Sequence, residues 1–194
     1  VNLSMTHRNF RRDPQRPIDP DTVEIPPYYP DHPLTRRDWA DYLESIQVLD
    51  GQIGQVLDRL EEDGLADDTI VFYFGDHGRC HVRGKQWLYE GGIRIPLIIR
   101  WPDQSDAGSR CSGLVSSIDF GPTALNLAGI PIPRHMEGRP FLGPDAKKRD
   151  FVICARDRCD ETDDRIRCVR TARWKYIRNF YPDRPYTQFN AYKK

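Results

Sequence analysis

The sequence predicts an α/β fold, a layered sheet with helices on its faces, joined to a small α+β subdomain built on an antiparallel sheet. Three observations predict it. Thr69 to Phe74 and Ile95 to Pro102 are short runs apolar on both faces, as in strands of a parallel sheet covered by helices. Ahead of them Trp39, Tyr42, Leu43, Ile46, Leu49, Ile53, Val56, Leu57 and Leu60 recur at steps of three and four, the period of a helix that buries one face. Phe151 to Ala155, Ile166 to Ala172 and Trp174 to Phe180 are three strand-like runs at short spacing. The order strand, loop, strand, helix is that of α/β architecture. Residues 1–148 are therefore expected to belong to the layered core, and 149–194 to the small subdomain.

Each element has a local justification. From His7 to about Pro33 the chain is rich in proline and charge, and "IPPYYPDHP" disfavours helix, so an extended surface segment is expected that is ordered only by packing on something else. Thr35-Arg-Arg-Asp38 resembles a capping box with Asp in place of Glu and predicts the start of the long helix. Asp50-Gly51 interrupts its pattern, with Gly51 read as a small residue for close helix packing and Asp50 as a structural hydrogen-bonding group. Gly64 lies where a C-terminal cap belongs. Ser116 to Ile130 reads as a helix entered through Gly121-Pro122. The Pro- and Gly-rich stretch 131–150 reads as linker, and no internal repeat is visible.

With 194 residues the chain is long enough to bury most of its apolar surface without a disulfide or metal staple. Lys plus Arg and Asp plus Glu number 29 each, so no global field marks a nucleic-acid or polyanion binder. The basic and aromatic stretch "RDRCDETDDRIRCVRTARWKYIR" carries acids that nearly cancel its bases, and nucleic acid is not an expected partner. Cys80, Cys111, Cys154, Cys159 and Cys168 are odd in number and lack Cys-x-x-Cys spacing, which argues against a full disulfide framework and a zinc ribbon. No apolar run is long enough for a membrane span, and the opening residues give no expectation of a signal peptide. Val1 to His7 reads as the middle of a strand followed by a loop, so a piece of a longer protein is expected.

The chemistry concentrates in "TIVFYFGDHGRCHVRGK". Ligands bind beyond the carboxyl ends of strands in open α/β sheets, and Asp76 and His77 sit at such an end. A carboxylate beside an imidazole is a good pair of metal ligands, and Gly78 would let the backbone turn sharply after them. Lys85 could return to neutralise an anion held at the same metal. Taken alone, Asp-His-Gly is equally a polar turn after a strand. His81 could be a third ligand or a substrate contact, or simply a loop histidine in water. Arg79 and Arg83 make the loop basic, which suits an anionic substrate and also suits plain solvation.

The wider context, "GDHG" followed by "RGKQWLYEGGIRIPLIIRWP", resembles a sulfatase of the alkaline-phosphatase-like superfamily. The likeness extends to "THRNF", "DYLESIQVLDGQIGQVLDRLEEDGL", "SSIDFGPTALNLAGI" and "VRTARWKYIRNFYP". It implies a partial alkaline-phosphatase-like sandwich and a sulfuric ester hydrolase, acting on a sulfate ester or sulfamate, plausibly of a sulfated carbohydrate. It implies Asp76 and His77 as ligands of a divalent cation, calcium first, although imidazole suits softer metals better than calcium. It implies Lys85 as a sulfate contact and His7, with Asn9 where the family has proline, as a contact to the sulfate or the leaving-group oxygen. It also implies a periplasmic, secreted or lysosomal setting.

Sulfatases use a formylglycine made in a Cys-x-Pro-x-Arg-like motif, and this chain has none. "CARDR" from Cys154 to Arg158 lacks the proline, and Cys154 reads as a buried small residue. The family's early acidic metal-binding pair is absent too. Both would belong to a missing N-terminal part of the same fold, so the chain alone is expected to be inactive. A phosphonate or phosphodiester hydrolase of the same superfamily, or a non-catalytic truncated module, are the alternatives.

Overall fold

The computed structural model describes residues 1–103, 106–159 and 161–185, with the side chain of Cys159 outside that description. The final part of the expected subdomain, 186–194, also lies outside the described residues. The elements in order are α1 (Pro33–Glu62), β1 (Val71–Phe74), α2 (Glu90–Ile93), β2 (Leu97–Arg100), α3 (Phe120–Leu127), β3 (Phe151–Cys159), β4 (Thr162–Thr171) and β5 (Lys175–Asn179), with short 3-10 turns at Pro20–Thr22, Ala66–Asp68 and Ser117–Asp119. They group into two compact units that interleave along the chain. The first holds Val1–Tyr73, Arg79–Val82 and Leu97–Ala107; the second holds Phe74–Gly78, Arg83–Pro96 and the chain from Gly108 onward. No helix among the described residues is long and apolar enough to cross a membrane.

The first unit is organised by α1. The helix starts earlier than Thr35 suggests: Pro33 occupies the first turn, where its missing N–H costs nothing, and the His32 Nδ1 accepts from the Leu34 N–H at 3.2 Å. It runs straight through Asp50-Gly51, and a Cβ at Gly51 would meet nothing within 4 Å, so close packing is not what that glycine serves here. Its end matches the expectation. Gly64 takes φ +68°, its N–H bonds the Glu61 carbonyl, and the Leu65 N–H bonds the Leu60 carbonyl, closing both orphan acceptors in a Schellman arrangement.

The extended segment before α1 is ordered because it packs on the helix. Val23 joins Trp39 and Ala40 in a buried cluster flanked by Ile18, Ile25, Tyr29, Tyr42 and Leu43. Beneath it the buried Glu44 carboxylate accepts from the backbone N–H groups of Asp13 and Ile18, both at 3.0 Å. These are charge-assisted bonds to otherwise orphaned donors, which fix where the ribbon lies.

β1 and β2 form a two-stranded sheet, but they are shorter and more open than their apolar composition predicts. Phe74 is 44% exposed and Ile98 63%. Ile46, Leu49, Ile53 and Leu57 of α1 face Val71, Tyr73, Ile98 and Arg100 across an open, mostly apolar groove of about 340 Å³. Strands read from sequence as covered on both faces therefore have one face uncovered here.

The second unit contains α3 and the antiparallel sheet β3-β4-β5. α3 is entered not at Gly121-Pro122, which lie inside its first turn, but through a 3-10 turn at Ser117–Asp119. Asp119 is fully buried; its carboxylate accepts from the Ser116 N–H at 3.0 Å, the Arg139 N–H at 2.9 Å, and the Arg149 guanidinium through both oxygens. Thr123 Oγ1 accepts from the Phe141 N–H, and Asn126 Nδ2 donates to the Leu142 carbonyl. The stretch read as linker is thus strapped along α3. The three predicted strands are present, β3 and β4 longer than expected and β5 a residue shorter at each end, with Asp164, Ile166 and Cys168 buried at every second position of β4.

Candidate functional site

The Asp76-His77 loop leaves the end of β1 and is anchored at both ends by backbone hydrogen bonds. The Gly75 N–H reaches the Pro96 carbonyl at 3.4 Å, and the Gly78 N–H bonds the Gly92 carbonyl at 2.9 Å. Gly78 is required for that approach rather than for a sharp turn: a Cβ there would overlap the Gly91 carbonyl, and one at Gly92 would overlap the carbonyls of Trp87 and Gly84. The loop and α2 are thereby locked together by residues that only glycine can supply.

α2 is in turn fastened to the antiparallel sheet. Glu90 pairs with Arg170 of β4 at 3.2 Å and with Lys175 of β5. Burial would raise the Glu90 carboxyl, but the hydrogen bonds and charges of Lys175 and Arg170 outweigh it and hold the group below its ordinary range. Lys175 Nζ also donates to the Leu88 carbonyl at 3.2 Å. Leu88 lies in the buried cluster with Ile166 and Cys168.

Lys85 occupies a turn whose backbone is strained on both sides. Arg83 and Gln86 take φ values of 62° and 77°, the left-handed region that side-chain-bearing residues rarely adopt. The surroundings enforce it: the Trp87 N–H closes on the Gly84 carbonyl, and Arg156 donates to the Gln86 carbonyl at 3.1 Å while lying over the Trp87 ring at 4.9 Å. Arg156 is itself buried against Asp164 at 3.3 Å. Strain held by a buried ion pair is the pattern found where a side chain must be presented in one direction. Arg83 stacks over Tyr89 at 4.3 Å, and Lys85 is half-buried.

Within the Asp-His-Gly loop, His77 Nδ1 lies 2.8 Å from the Gly78 carbonyl. A carbonyl can only accept, so Nδ1 donates to it and Nε2 is the ring nitrogen left to meet a ligand. His77 Nε2 faces Asp76 Oδ2 at 3.6 Å, with the Asp76 side chain 86% exposed and that of His77 33%. A carboxylate and an imidazole nitrogen at this spacing, on an exposed loop, are donors of the kind that could share a cation. No group of three or more His, Cys, Asp or Glu side chains suited to a metal occurs among the described residues, and two donors would fall short of the six or more ligands that calcium takes.

The remaining sequence-predicted residues lie in the first unit. His7 is exposed, with Nδ1 2.7 Å from the Arg8 carbonyl. Arg79 lies over the Trp39 ring and donates to the Tyr28 hydroxyl. His81 is only 5% exposed, stacked between Trp39 at 4.4 Å and Phe10 at 5.3 Å with Tyr42 edge-on at 4.9 Å. Its Nε2 is 3.4 Å from Asp38 Oδ2, outside hydrogen-bond geometry, and neither ring nitrogen has a hydrogen-bond partner. Asp38 is instead gripped by both guanidinium nitrogens of Arg8. Burial, with the positive charges of Arg8 and Arg79, pushes His81 down to about 4 despite Asp38.

The structure thus brings Asp76 and His77 together and seats His81 in an aromatic cage. Sequence reasoning missed Glu90, Arg156 and Asp164. Glu90 sat in plain view within "YEGG"; Arg156 and Asp164 gave no local signal, because their partners are a loop and a neighbouring strand.

The Sulfatase family profile matches residues 6–130, and that of "N-sulphoglucosamine sulphohydrolase, C-terminal" matches residues 75–193. An ulvan-active sulfatase of Formosa agariphila is 39% identical over 190 residues, covering 95% of this chain and 32% of that protein. An N-acetylglucosamine-6-O-sulfatase of Bacteroides thetaiotaomicron is 37% identical over 117 residues, 55% of this chain and 20% of that protein. A structure solved in complex with its substrate D-glucosamine-2-N,6-O-disulfate superposes with a TM-score of 0.64 at 28% identity, covering 79% of this chain and 34% of that one. The chain spans about a third of the length of these relatives or less.

Proposed function

The chain belongs to the sulfatase family, and from that premise we propose that it is the C-terminal part of a sulfuric ester hydrolase that removes sulfate, as ester or sulfamate, from a sulfated carbohydrate. The observation that carries the reading is the placement of His77, whose Nδ1 is taken by the Gly78 carbonyl while Nε2 lies 3.6 Å from the Asp76 carboxylate at the open end of β1. Asp76 and His77 would hold a divalent cation, calcium first. That ion would supply Lewis acidity toward the sulfate oxygens. Lys85, presented by its strained turn, would place an ammonium against the same anion, and His7 would contact the sulfate or the leaving-group oxygen. Arg79 and Arg83 are the further substrate contacts of this reading, while His81, sealed among Trp39, Phe10 and Tyr42, supports the loop from within.

Residues 1–148 would form the later part of the layered core and 149–194 its small subdomain. The missing N-terminal part of the fold would provide the nucleophile, a formylglycine in this family, together with the remaining metal ligands. It would also cover the apolar groove between α1 and the β1-β2 sheet. The carbohydrate relatives favour an exported setting, periplasmic, secreted or lysosomal.

The test compares sulfate release from a sulfated oligosaccharide by the 194-residue chain and by the same chain extended with an N-terminal sulfatase part. The chain alone is expected to be inactive. The extended protein is expected to turn over and to lose activity about a hundredfold in Lys85→Ala, the scale of losing one charge-stabilising group. Turnover by the chain alone, or an unaffected Lys85→Ala variant, would overturn the assignment. Turnover of phosphonate or phosphodiester substrates in place of sulfate would reassign the chemistry within the superfamily.

A further inference from the structure

Cys154 on β3 and Cys168 on β4 are direct partners in the antiparallel register, flanked by Ile153↔Val169 and Ala155↔Arg167. Partner residues across two strands send their side chains to the same face. Both thiols enter the cluster built on Leu88 and Ile166, and the row continues across the sheet to Ile177, the partner of Cys168 on β5. Directly opposed residues in an antiparallel pair have Cα atoms about 4.5 or 5.5 Å apart, depending on their place in the ladder. Either spacing lies within the roughly 4.4–6.8 Å that a disulfide spans, so no backbone movement is needed to join them. Both thiols are free in this structure.

We propose that Cys154 and Cys168 are a disulfide-forming pair, closing a covalent rung across the β3-β4 hairpin when the protein meets a low-molecular-weight disulfide. The Cys154 thiol, half-buried where Cys168 is 1% exposed, is the one that reacts first. As thiolate it attacks one sulfur of the small disulfide and expels the other half as a thiol. Cys168, losing its proton, then displaces the second small thiol and forms the Sγ–Sγ bond. The two cysteines give up two protons and two electrons, and the small disulfide is reduced to two thiols. Burial raises both thiols above their ordinary range, and each sits near the other, so exchange is slow near neutrality and quickens as pH rises. The rung lies in the sheet that carries Arg170 and Lys175, the anchors of α2, and would stiffen the frame on which the Asp76-His77 loop hangs.

The experiment incubates the folded, reduced 194-residue chain in a graded mixture of reduced and oxidised glutathione, then quenches it by alkylation. Expected are a loss of two hydrogen atoms in intact mass, one linked peptide joining Cys154 to Cys168, and alkylation of Cys80 and Cys111. Closing a loop of about 15 residues is expected to shift the unfolding equilibrium of the oxidised form roughly a hundredfold toward the fold, read by urea denaturation against the reduced form. Cys154→Ala and Cys80→Ala serve as the affected and unaffected variants, and the peptide map of the unaltered chain stands if either variant fails to fold. Persistent free thiols at 154 and 168, a lasting glutathione adduct at Cys154, or linkage to Cys111 or Cys159 would each overturn the proposal.

Discussion

His81 binds its proton at about pH 4 in the fold and near 6.5 once unfolded. Between those values the unfolded chain holds more protons, so its contribution to stability is complete above about pH 6.5 and is lost as pH falls toward 4. The loss approaches about 3 kcal/mol, the free energy of a shift of this size. The facing charges are Asp38, which favours the proton, and Arg8 and Arg79, which oppose it, while Trp39, Phe10 and Tyr42 exclude water. His81→Phe keeps a flat ring in the cage and removes the titration. Its urea midpoint is expected to fall less than that of the unaltered chain between about pH 7 and pH 4. An identical slope would assign the acid sensitivity to another group. None of this was legible in "RCHVRGK", a stretch that reads as solvated, because the cage is assembled from Phe10 and from α1, remote in sequence.

At the scale of elements, local grammar and long-range anchoring divide what sequence could reveal. The period of α1 and the glycine cap at Gly64 are local, and both were readable. The start of α1 was misplaced because Thr35 looks like a cap while His32 and Pro33 act as one. The strap 131–150 looked like a linker because its anchors, Asp119 and Thr123, lie in an earlier helix. Asp119 sits well below the usual carboxylate range: burial works against it, but Arg149 and two backbone N–H groups prevail. Asp119→Ala leaves Arg149 and those donors unpaired and is expected to cost about 3–5 kcal/mol in chemical denaturation. Gly78→Ala drives a methyl group into the Gly91 carbonyl and is expected to cost about 1–3 kcal/mol by the same measurement, through displacement of the Asp76-His77 loop. The presence of that loop was legible in "GDHG"; the dependence on Gly92 and Glu90 was not, since it arises from backbone approach and cross-element charge pairing.

For the whole molecule, the openness of β1 and β2 is the largest departure from expectation. Their composition matches strands covered on both faces, yet Ile98 is 63% exposed while Leu49 of the same groove is 7% exposed. In the 194-residue chain Ile98→Thr is therefore expected to change unfolding free energy by no more than about 0.5 kcal/mol. Leu49→Ala is expected to cost about 2–5 kcal/mol. Urea denaturation reads both, and a large effect at Ile98 would mean the groove is closed in solution. The path of the chain has a consequence of its own. It passes between its two units at 73/74, 78/79, 82/83, 96/97 and 107/108, and the short excursions carry Asp76, His77, Arg79, His81, Arg83 and Lys85. A single scission anywhere in the backbone cannot leave both bodies whole: trimming back to Ala107 keeps every segment of the first and strips most of the second, while trimming forward to Phe74 does the reverse, and neither body can be cut out free of pieces of the other.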